Sequence, residues 1–314
     1  MSPDSPQFSE GELKPRLDGG DFVVTAELTP PVATDPQVFL ERAARLKGLV
    51  TALNVTDGAG AKAHLSSLVA AHLVRQQGVE PILQMTCRDR NRLALEADIL
   101  GAMALGIRNV LVLGGDDPRK GDQPETKPVF DLDSRGLIAL AHRMRSERKL
   151  PSGTEIKGPV SLLLGTADMP VDPPAGWRPA GLIAKLEAGA DFAQTQFCMD
   201  AGIVRRYARA LIDLGIVPRL GVLIGVAPIP SARSARWMQD NLFGTIIPDA
   251  IVTRLEQAAD PAAEGRRLCA ELMQELAEIP GIAGAHVMAP QNPSAIAEVI
   301  AAAGLTGKKR ASIG

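Results

Sequence analysis

Two acidic residues stand where apolar runs of the sequence end, and their surroundings suggest a chemistry. Glu27 closes the run FVVTAE, directly before the segment LTPP. The apolar flanks predict partial burial, and burial raises the pKa of a carboxyl group, so that a protonated acid becomes available near neutral pH. The sequence therefore indicates Glu27 as a general acid. A solvent-exposed carboxylate at the start of a loop is the simpler alternative.

Asp116 follows the apolar run NVLVL and the pair Gly114-Gly115. Glycine lets the backbone approach a ligand closely, which favours a ligand-binding role for Asp116. The alternative is an Asx turn, or a cap for a helix predicted over residues 133–148. For Asp117, which precedes a proline, we prefer that alternative.

Two amide residues alternate in the run FAQTQF. Gln194 and Gln196 are two residues apart, so both side chains point to one face of a strand. Inward-facing amides need hydrogen-bond partners. They form either an internal polar layer or a pair that binds a heterocycle, and the pattern favours neither.

The histidines and cysteines form no cluster with metal-ligand spacing, so we predict no metal site. Three histidines fall in predicted helices and are interpreted as structural or solvated: His64, His72 and His142. The three cysteines are far apart and are interpreted as reduced thiols: Cys87, Cys198 and Cys269.

A repeated unit predicts the elements that position these residues. A helical pattern ends at a glycine and a short apolar run follows, about every 26–30 residues where neighbouring units are clear, at Gly48, Gly78, Gly106, Gly189, Gly215 and Gly281. This unit predicts strands over 22–28, 51–56, 80–86, 109–113, 157–164, 191–197, 218–224 and 284–288. Helices are predicted between them, with two or three in residues 231–279 before the last strand.

Eight strands with intervening helices fit a (β/α)8 TIM barrel with extra helices before the last strand. A doubly wound open sheet is the rival, but it predicts a glycine-rich fingerprint after the first strand, where the sequence has Glu27 and two prolines. In a barrel the carboxyl ends of all strands meet at one face. We therefore expect Glu27, Asp116 and the two amides to share one pocket.

Composition and charge exclude several classes of protein. The 314 residues carry a net charge of −2, which gives no sign of a nucleic-acid surface. No apolar run is long enough for a membrane span, and the start MSPDSPQFSE lacks the features of a signal peptide, so we expect a cytoplasmic protein. We predict a lead-in over residues 1–20, one barrel domain over 21–306 and a basic tail over 307–314.

Several motifs, taken together and in order, resemble the methylenetetrahydrofolate reductase family. They are TAELTPP, NVTDGAGAKAH, MTCRDRNRLALEADILGAMALGIRNVLVLGGDDP and EAGADFAQTQF, and GDQPETKPVFDLDS resembles a loop of bacterial, acetogen-type members. The resemblance implies a barrel that holds FAD. NAD(P)H reduces the flavin and leaves, and the flavin then delivers hydride to 5,10-methylenetetrahydrofolate, giving 5-methyltetrahydrofolate by a ping-pong route.

The resemblance also implies roles for individual residues. Glu27 is expected to protonate N10 of the folate, so that its five-membered ring opens to a 5-iminium cation. Asp116 is expected to stabilise that cation beside the flavin and the pterin ring, and Gln196 and Phe197 to contact the folate. The expected flavin positions are Thr56, Asp57, Ala59, Gln84, Gly114, Gly115, Asp116, Leu132, Asp133, Ser134 and Lys185, the last as a phosphate contact.

The sequence departs from the family pattern at three of these positions. The family often has tyrosine, histidine and arginine where this chain has Asp57, Gln84 and Gly114. The last two changes remove donors that would bind a flavin, and they motivate two alternatives. One is a flavin-free or partner-reduced reductase that takes hydride directly from a nicotinamide nucleotide. The other is a non-catalytic folate-binding subunit, and a homo-oligomer is left open.

Overall fold

Eight parallel strands close into a barrel in the computed structural model of the protein, which describes residues 11–289 and 292–313. Each strand pairs with its neighbours in chain order, and β8 pairs with β1. The strands are β1 Val23–Leu28, β2 Ala52–Val55, β3 Pro81–Thr86, β4 Asn109–Leu113, β5 Leu163–Asp168, β6 Phe192–Phe197, β7 Gly221–Val226 and β8 Gly284–Val287. The predicted (β/α)8 architecture is confirmed.

Helices surround the barrel, and three of them lie between β7 and β8, as the sequence predicted. The helices are α1 Leu13–Asp18, α2 Gln37–Ala44, α3 Ser67–Gln76, α4 Arg92–Ala104, α5 Ser134–Glu147, α6 Ala180–Glu187, α7 Ala201–Asp213, α8 Ala232–Asn241, α9 Asp249–Gln257, α10 Pro261–Ala277 and α11 Ser294–Ala303. The six glycines that revealed the repeat all have positive φ, between 66° and 110°. Their left-handed conformation explains why glycine ends each helix.

Two strands lie further along the chain than predicted. The predictions 157–164 and 218–224 stop directly before Gly165 and Gly225, but β5 and β7 continue through these glycines. A side chain at Gly165 would collide with the ring of Phe192, and one at Gly225 with the backbone of Thr195. Glycine inside a strand marks such a close approach, and it does not end the strand here.

The amino-terminal end of the barrel is closed by α1, within the segment predicted as a lead-in. Leu13 and Leu17 are buried in an apolar cluster with residues from inside the barrel, among them Ile82 and Phe192. The Glu80 carboxylate accepts hydrogen bonds from the backbone N–H groups of residues 12 and 13. The barrel interior is therefore filled at this end, and active sites of this fold lie at the opposite face.

Three predictions about the chain ends, the domain boundaries and membrane spans have different outcomes. Residues 1–10, on which the absence of a signal peptide was predicted, lie outside the described residues. The domain boundaries at residues 21 and 306 stay predictions. Within the described ranges no helix combines the length and the hydrophobicity that crossing a membrane requires.

Candidate active site

The carboxyl halves of β1, β3 and β8 bring Glu27 into contact with two polar side chains. Gln84 Nε2 donates a hydrogen bond of 2.6 Å to Glu27 Oε2. His286 Nε2 lies 3.8 Å from the same oxygen. The Glu27 side chain is 26% exposed, so it is partly buried, as its apolar flanks predicted, yet still reachable by a ligand.

A buried polar layer lies behind this carboxyl group. The amides of Asn54 and Gln194 bond each other across the barrel, at 2.6 and 3.0 Å. Gln194 Nε2 also donates to Thr25 Oγ1 at 3.0 Å, and Thr25 Oγ1 lies 2.9 Å from His286 Nδ1. All four residues are less than 5% exposed. Gln194 therefore belongs to an internal polar layer, one of its two predicted alternatives.

Gln196 has different partners from Gln194. The register between β6 and β7 shifts between residues 194 and 197. The Gln196 side chain accepts a hydrogen bond from the Phe197 N–H and donates to the Phe243 carbonyl oxygen at 3.3 Å. Phe197 is 4% exposed and packs in the core that joins strands to helices. Contact of Gln196 or Phe197 with a folate stays a prediction.

Asp57, a predicted flavin position, is surrounded by donors from its own neighbourhood. Asp57 Oδ2 accepts from the Thr86 N–H at 2.8 Å, from the Thr86 hydroxyl at 2.9 Å and from Arg90. Asp57 Oδ1 accepts from the Ser67 hydroxyl at 3.1 Å. Arg90 also pairs with Asp98 at 2.9 Å. The carboxylate thus ties the end of β2 to the end of β3.

Asp116 connects the loops that follow β2 and β4. Its Oδ2 accepts a hydrogen bond of 2.8 Å from the N–H of Gly60, next to the predicted position Ala59. Beneath the two loops the buried Arg88 donates to the carbonyl oxygens of Gly58 and Asp116. Asp116 itself is exposed. Its carboxylate therefore stands at the barrel face with one oxygen bonded and does not cap α5.

The two glycines before Asp116 differ in the space that is available for a side chain. A side chain at Gly114 would meet open space, whereas one at Gly115 would crowd the Cβ atoms of Arg88, at 2.8 Å, and Thr86, at 3.2 Å. Asp117 accepts a hydrogen bond from the Arg119 N–H at 3.0 Å. This is the turn interpretation preferred for Asp117 from the sequence.

The remaining predicted flavin positions lie at helix ends. Asp133 caps α5 by accepting a hydrogen bond of 2.6 Å from the Gly136 N–H, with Leu132 and Ser134 on either side. Lys185, in α6, donates to the Ala167 carbonyl oxygen at 2.8 Å. Burial lowers the pKa of Lys185 and raises that of the neighbouring Asp168. The Lys185 ammonium is therefore engaged with the end of β5.

The predicted flavin positions carry few of the groups that a flavin dinucleotide needs. Its two phosphates require cations or N–H donors. The predicted positions instead carry three carboxylates, Asp57, Asp116 and Asp133, and the amide of Gln84 is bonded to Glu27. Lys185 is the one cation among these positions, and it is bonded to a backbone carbonyl oxygen.

Two buried or half-buried arginines of the loop after β3, Arg88 and Arg90, are also engaged. Arg88 pairs with Asp89 at 2.6 Å, and Arg90 pairs with Asp57 and Asp98. Among the predicted flavin positions, Thr56 differs from these engaged side chains, because its buried hydroxyl has no hydrogen-bond partner among the described residues. These side chains therefore offer few free donors to a flavin dinucleotide in this arrangement.

An apolar groove opens beside this polar centre, between the loops after β7 and β8. Its cavity volume is about 40 Å³, well below the roughly 300–1,000 Å³ of small-molecule sites, so it is a shallow surface groove. The groove is lined by residues that include Pro228, Trp237, Met238, Leu242 and Met288. It offers an apolar surface to a ligand that reaches the carboxyl ends of these strands.

The sequence interpretation did not identify His286 and Thr25 as parts of this centre. Both face the barrel interior at register partners on β8 and β1. Their signal was available, since a polar residue at an inward position of a predicted strand requires a partner. Arg88 and Arg90 were also missed, because their partners lie on other loops.

Metal-binding and reactive-thiol chemistry find no support in the described part of the chain. No three histidine, cysteine, aspartate or glutamate side chains of those residues are grouped as metal ligands. Burial raises the pKa of Cys87 and of Cys198 to about 11. Burial also raises the pKa of Cys269. These buried thiols are therefore weak nucleophiles at neutral pH.

Comparison with known proteins agrees with this description. Probable methylenetetrahydrofolate reductase (NADPH) of Caenorhabditis elegans is 27% identical over 282 residues, covering 85% of this chain and 40% of the relative. Methylenetetrahydrofolate reductase 2 of Schizosaccharomyces pombe is 27% identical over 262 residues, with coverages of 79% and 39%. The chain thus spans about 40% of the length of these relatives.

A solved structure shares the fold. It is an uncharacterized protein from Clostridium thermocellum described as binding two copies of 5-methyl-5,6,7,8-tetrahydrofolic acid, with a TM-score of 0.63 and 14% identity over 93% of this chain and 97% of that one. The model of the family described as methylenetetrahydrofolate reductase matches residues 12–304. Because that match spans nearly the whole chain, the protein belongs to the methylenetetrahydrofolate reductase family.

Proposed function

We propose that the protein interconverts 5,10-methylenetetrahydrofolate and 5-methyltetrahydrofolate, with a nicotinamide nucleotide as the source of hydride. Family membership supports the reaction, and the name of the C. elegans relative includes NADPH. The fold neighbour from C. thermocellum is described as binding the methylated folate. The observation that carries the proposal is the partly exposed Glu27 carboxyl, whose two polar partners both face Oε2.

The proposed reaction needs one proton and one hydride. Protonated Glu27 gives its proton to N10 of the folate while the bond between N10 and the methylene carbon breaks, which leaves a 5-iminium cation. Hydride transfer to the methylene carbon then produces the methyl group. The carboxylate of Asp116 lies at the same face and stabilises the cation electrostatically.

The hydride reaches the folate by one of two routes. The resemblance predicts FAD as an intermediate carrier, and that stays a prediction. Asp57, Gln84 and Lys185 are already engaged with other groups of the protein, which favours the second route, direct transfer from the nicotinamide nucleotide. No step proposed for this chain's residues depends on a flavin.

The experiment combines a visible spectrum with a turnover assay. Purified protein is examined for flavin absorbance, and NADH and NADPH oxidation are followed with and without 5,10-methylenetetrahydrofolate. Colourless protein that oxidises a nicotinamide nucleotide only when folate is present supports direct transfer. A flavin that the nucleotide bleaches before folate is added supports the predicted FAD route. Folate binding without turnover, with FAD supplied, contradicts the proposed reaction and favours a binding subunit.

The role of Glu27 is tested by Glu27→Gln, with Glu187→Gln as the matched control on the exposed surface of α6. The amide has the same shape as the acid but no acidic proton. We expect folate turnover to fall by about 10²–10⁴-fold, the usual contribution of a general acid, while folate binding persists. Turnover within a factor of two of the control would remove Glu27 from the chemistry.

A further inference from the structure

The buried polar layer fixes the direction of its own hydrogen bonds. Gln194 uses both N–H groups of its amide as donors, one to Asn54 Oδ1 and one to Thr25 Oγ1. Asn54 Nδ2 donates in return to Gln194 Oε1 at 2.6 Å. Thr25 Oγ1 therefore accepts from Gln194, and its own hydrogen is left for another acceptor.

The acceptor for that hydrogen is His286. Nδ1 of His286 lies 2.9 Å from Thr25 Oγ1. When the hydroxyl donates to Nδ1, this nitrogen carries no hydrogen, and a neutral imidazole then has its hydrogen on Nε2. Nε2 is the nitrogen that lies 3.8 Å from Glu27 Oε2. The layer thus directs an N–H group at the carboxyl.

Two donors consequently face one oxygen of Glu27. Gln84 Nε2 donates to Oε2 at 2.6 Å, and the N–H of His286 approaches Oε2 from β8. In a protonated carboxyl group one oxygen accepts hydrogen bonds and the other carries the hydrogen. Gln84 occupies Oε2 as a hydrogen-bond donor, and the N–H group of His286 lies 3.8 Å away on the same side, too far for a hydrogen bond but near enough to disfavour a hydrogen on Oε2. Both contacts favour Oε1 as the oxygen that carries the acidic hydrogen of Glu27.

We propose that Asn54, Gln194, Thr25 and His286 form a relay that fixes His286 in its Nε2–H tautomer, and that this N–H group, together with the Gln84 amide, assigns Oε1 as the proton-donating oxygen of Glu27. His286 acts through Glu27, so it is a positioning residue. Its contribution to turnover rests on the proposed folate reaction, whereas its tautomer is a property of the protein alone. The relay also explains why four polar side chains are buried inside the barrel.

The tautomer is measured first, on the full chain labelled with ¹⁵N-histidine and without any ligand. The chain has four histidines, and the signals of His286 are identified as those missing from His286→Gln. We expect the Nε2–H tautomer. A spectrum of the Nδ1–H tautomer would mean that the hydrogen bonds run in the opposite direction, and it would overturn the proposal.

Thr25→Val then removes the hydroxyl that links the two halves of the relay while keeping a β-branched side chain. We expect His286 to lose its preference for the Nε2–H tautomer. We also expect kcat for folate reduction to fall by about 10²-fold, the effect of misplacing a reacting group, with KM for folate nearly unchanged. Thr25→Ser restores a hydroxyl and is expected to restore both measurements.

Thr166→Val is the matched control, because Thr166 is a buried strand threonine whose hydroxyl has no hydrogen-bond partner among the described residues. It should change neither the tautomer nor kcat. An unaltered tautomer in Thr25→Val would overturn the relay, and an altered tautomer with unaltered kcat would overturn its role in positioning Glu27. If the wild type does not reduce folate, the proposed function fails while the spectra still decide the relay.

Discussion

Asp57 distinguishes a structural role from the cofactor role that the family resemblance implies. Its carboxylate accepts four hydrogen bonds, two from Thr86, one from Ser67 and one from Arg90. The Asp57 side chain is 13% exposed and that of Arg90 is 20% exposed, so the pair is largely removed from water. We predict that Asp57→Ala lowers the free energy of unfolding by about 3 kcal/mol, because a buried donor left without its acceptor costs about 1–3 kcal/mol and both Thr86 and Ser67 lose theirs.

The prediction becomes sharper with Asp57→Asn, which separates shape from charge. An asparagine can place its oxygen at the Oδ2 position, where Thr86 and Arg90 donate, and its amide nitrogen opposite the Ser67 hydroxyl, which can rotate and accept. Arg90 keeps Asp98 as a charged partner. The loss is then the difference between charged and neutral hydrogen bonds, about 1–2 kcal/mol.

Urea denaturation followed by circular dichroism measures both variants, with Asp98→Asn as control because Asp98 is the more exposed partner of Arg90. The control is expected to change stability by less than about 1 kcal/mol. If Asp57→Ala unfolds within about 1 kcal/mol of the wild type, the ion pair does not stabilise the site in the way argued. Weaker nucleotide or flavin affinity at unchanged stability would instead favour the cofactor role.

Two further predictions concern carboxylates at other strand ends. Asp116→Asn removes the negative charge but keeps an oxygen that can accept the hydrogen bond from the Gly60 N–H. Folate turnover should therefore fall, while Tm, measured by differential scanning fluorimetry, should stay within about one degree of the wild type. Loss of folding would instead show that Asp116 is structural. Burial raises the pKa of Asp168 above its ordinary 3.8. The native state therefore binds a proton at this carboxyl group more tightly than the unfolded state does. Wild-type stability should consequently fall as the pH rises through the raised pKa. The Asp168→Asn variant cannot lose stability in this way, because asparagine does not titrate. In urea titrations its free energy of unfolding should therefore increase relative to that of the wild type between about pH 4 and pH 7. If the difference between the two free energies stays constant over this range, the raised pKa of Asp168 is contradicted.

The sequence predicted the fold because its signal is local. Each glycine that ends a helix has positive φ, a backbone conformation that glycine adopts easily and other residues adopt rarely. This preference depends only on the residue itself, so the repeat could be recognised without any knowledge of tertiary structure. The errors at β5 and β7 have the opposite origin. Gly165 lies inside β5 because the ring of Phe192 occupies the place of a side chain, and that contact depends on the pairing of two strands.

The position of the site could be predicted from the sequence, but the contacts of its side chains could not. Barrel topology alone places strand ends at one face, so Glu27, Gln84 and Asp116 could be named together from the sequence. The partners of each side chain could not be named. Whether Asp57 pairs with Arg90 or with a ligand depends on how two loops pack against each other, and the spacing of residues carries no information about that packing.

The difference between Glu27 and Asp57 follows from counting the hydrogen bonds on each oxygen, because exposure alone does not separate them. Asp57 has donors on both oxygens, so a bound ligand would have to break existing bonds before it gained any from this carboxylate. Glu27 has its two polar neighbours on Oε2, and Oε1 is the oxygen from which we propose that the proton is transferred. Two carboxyl groups at neighbouring strand ends therefore have different surroundings, and the cause is the pair of side chains that β3 and β8 place beside Glu27.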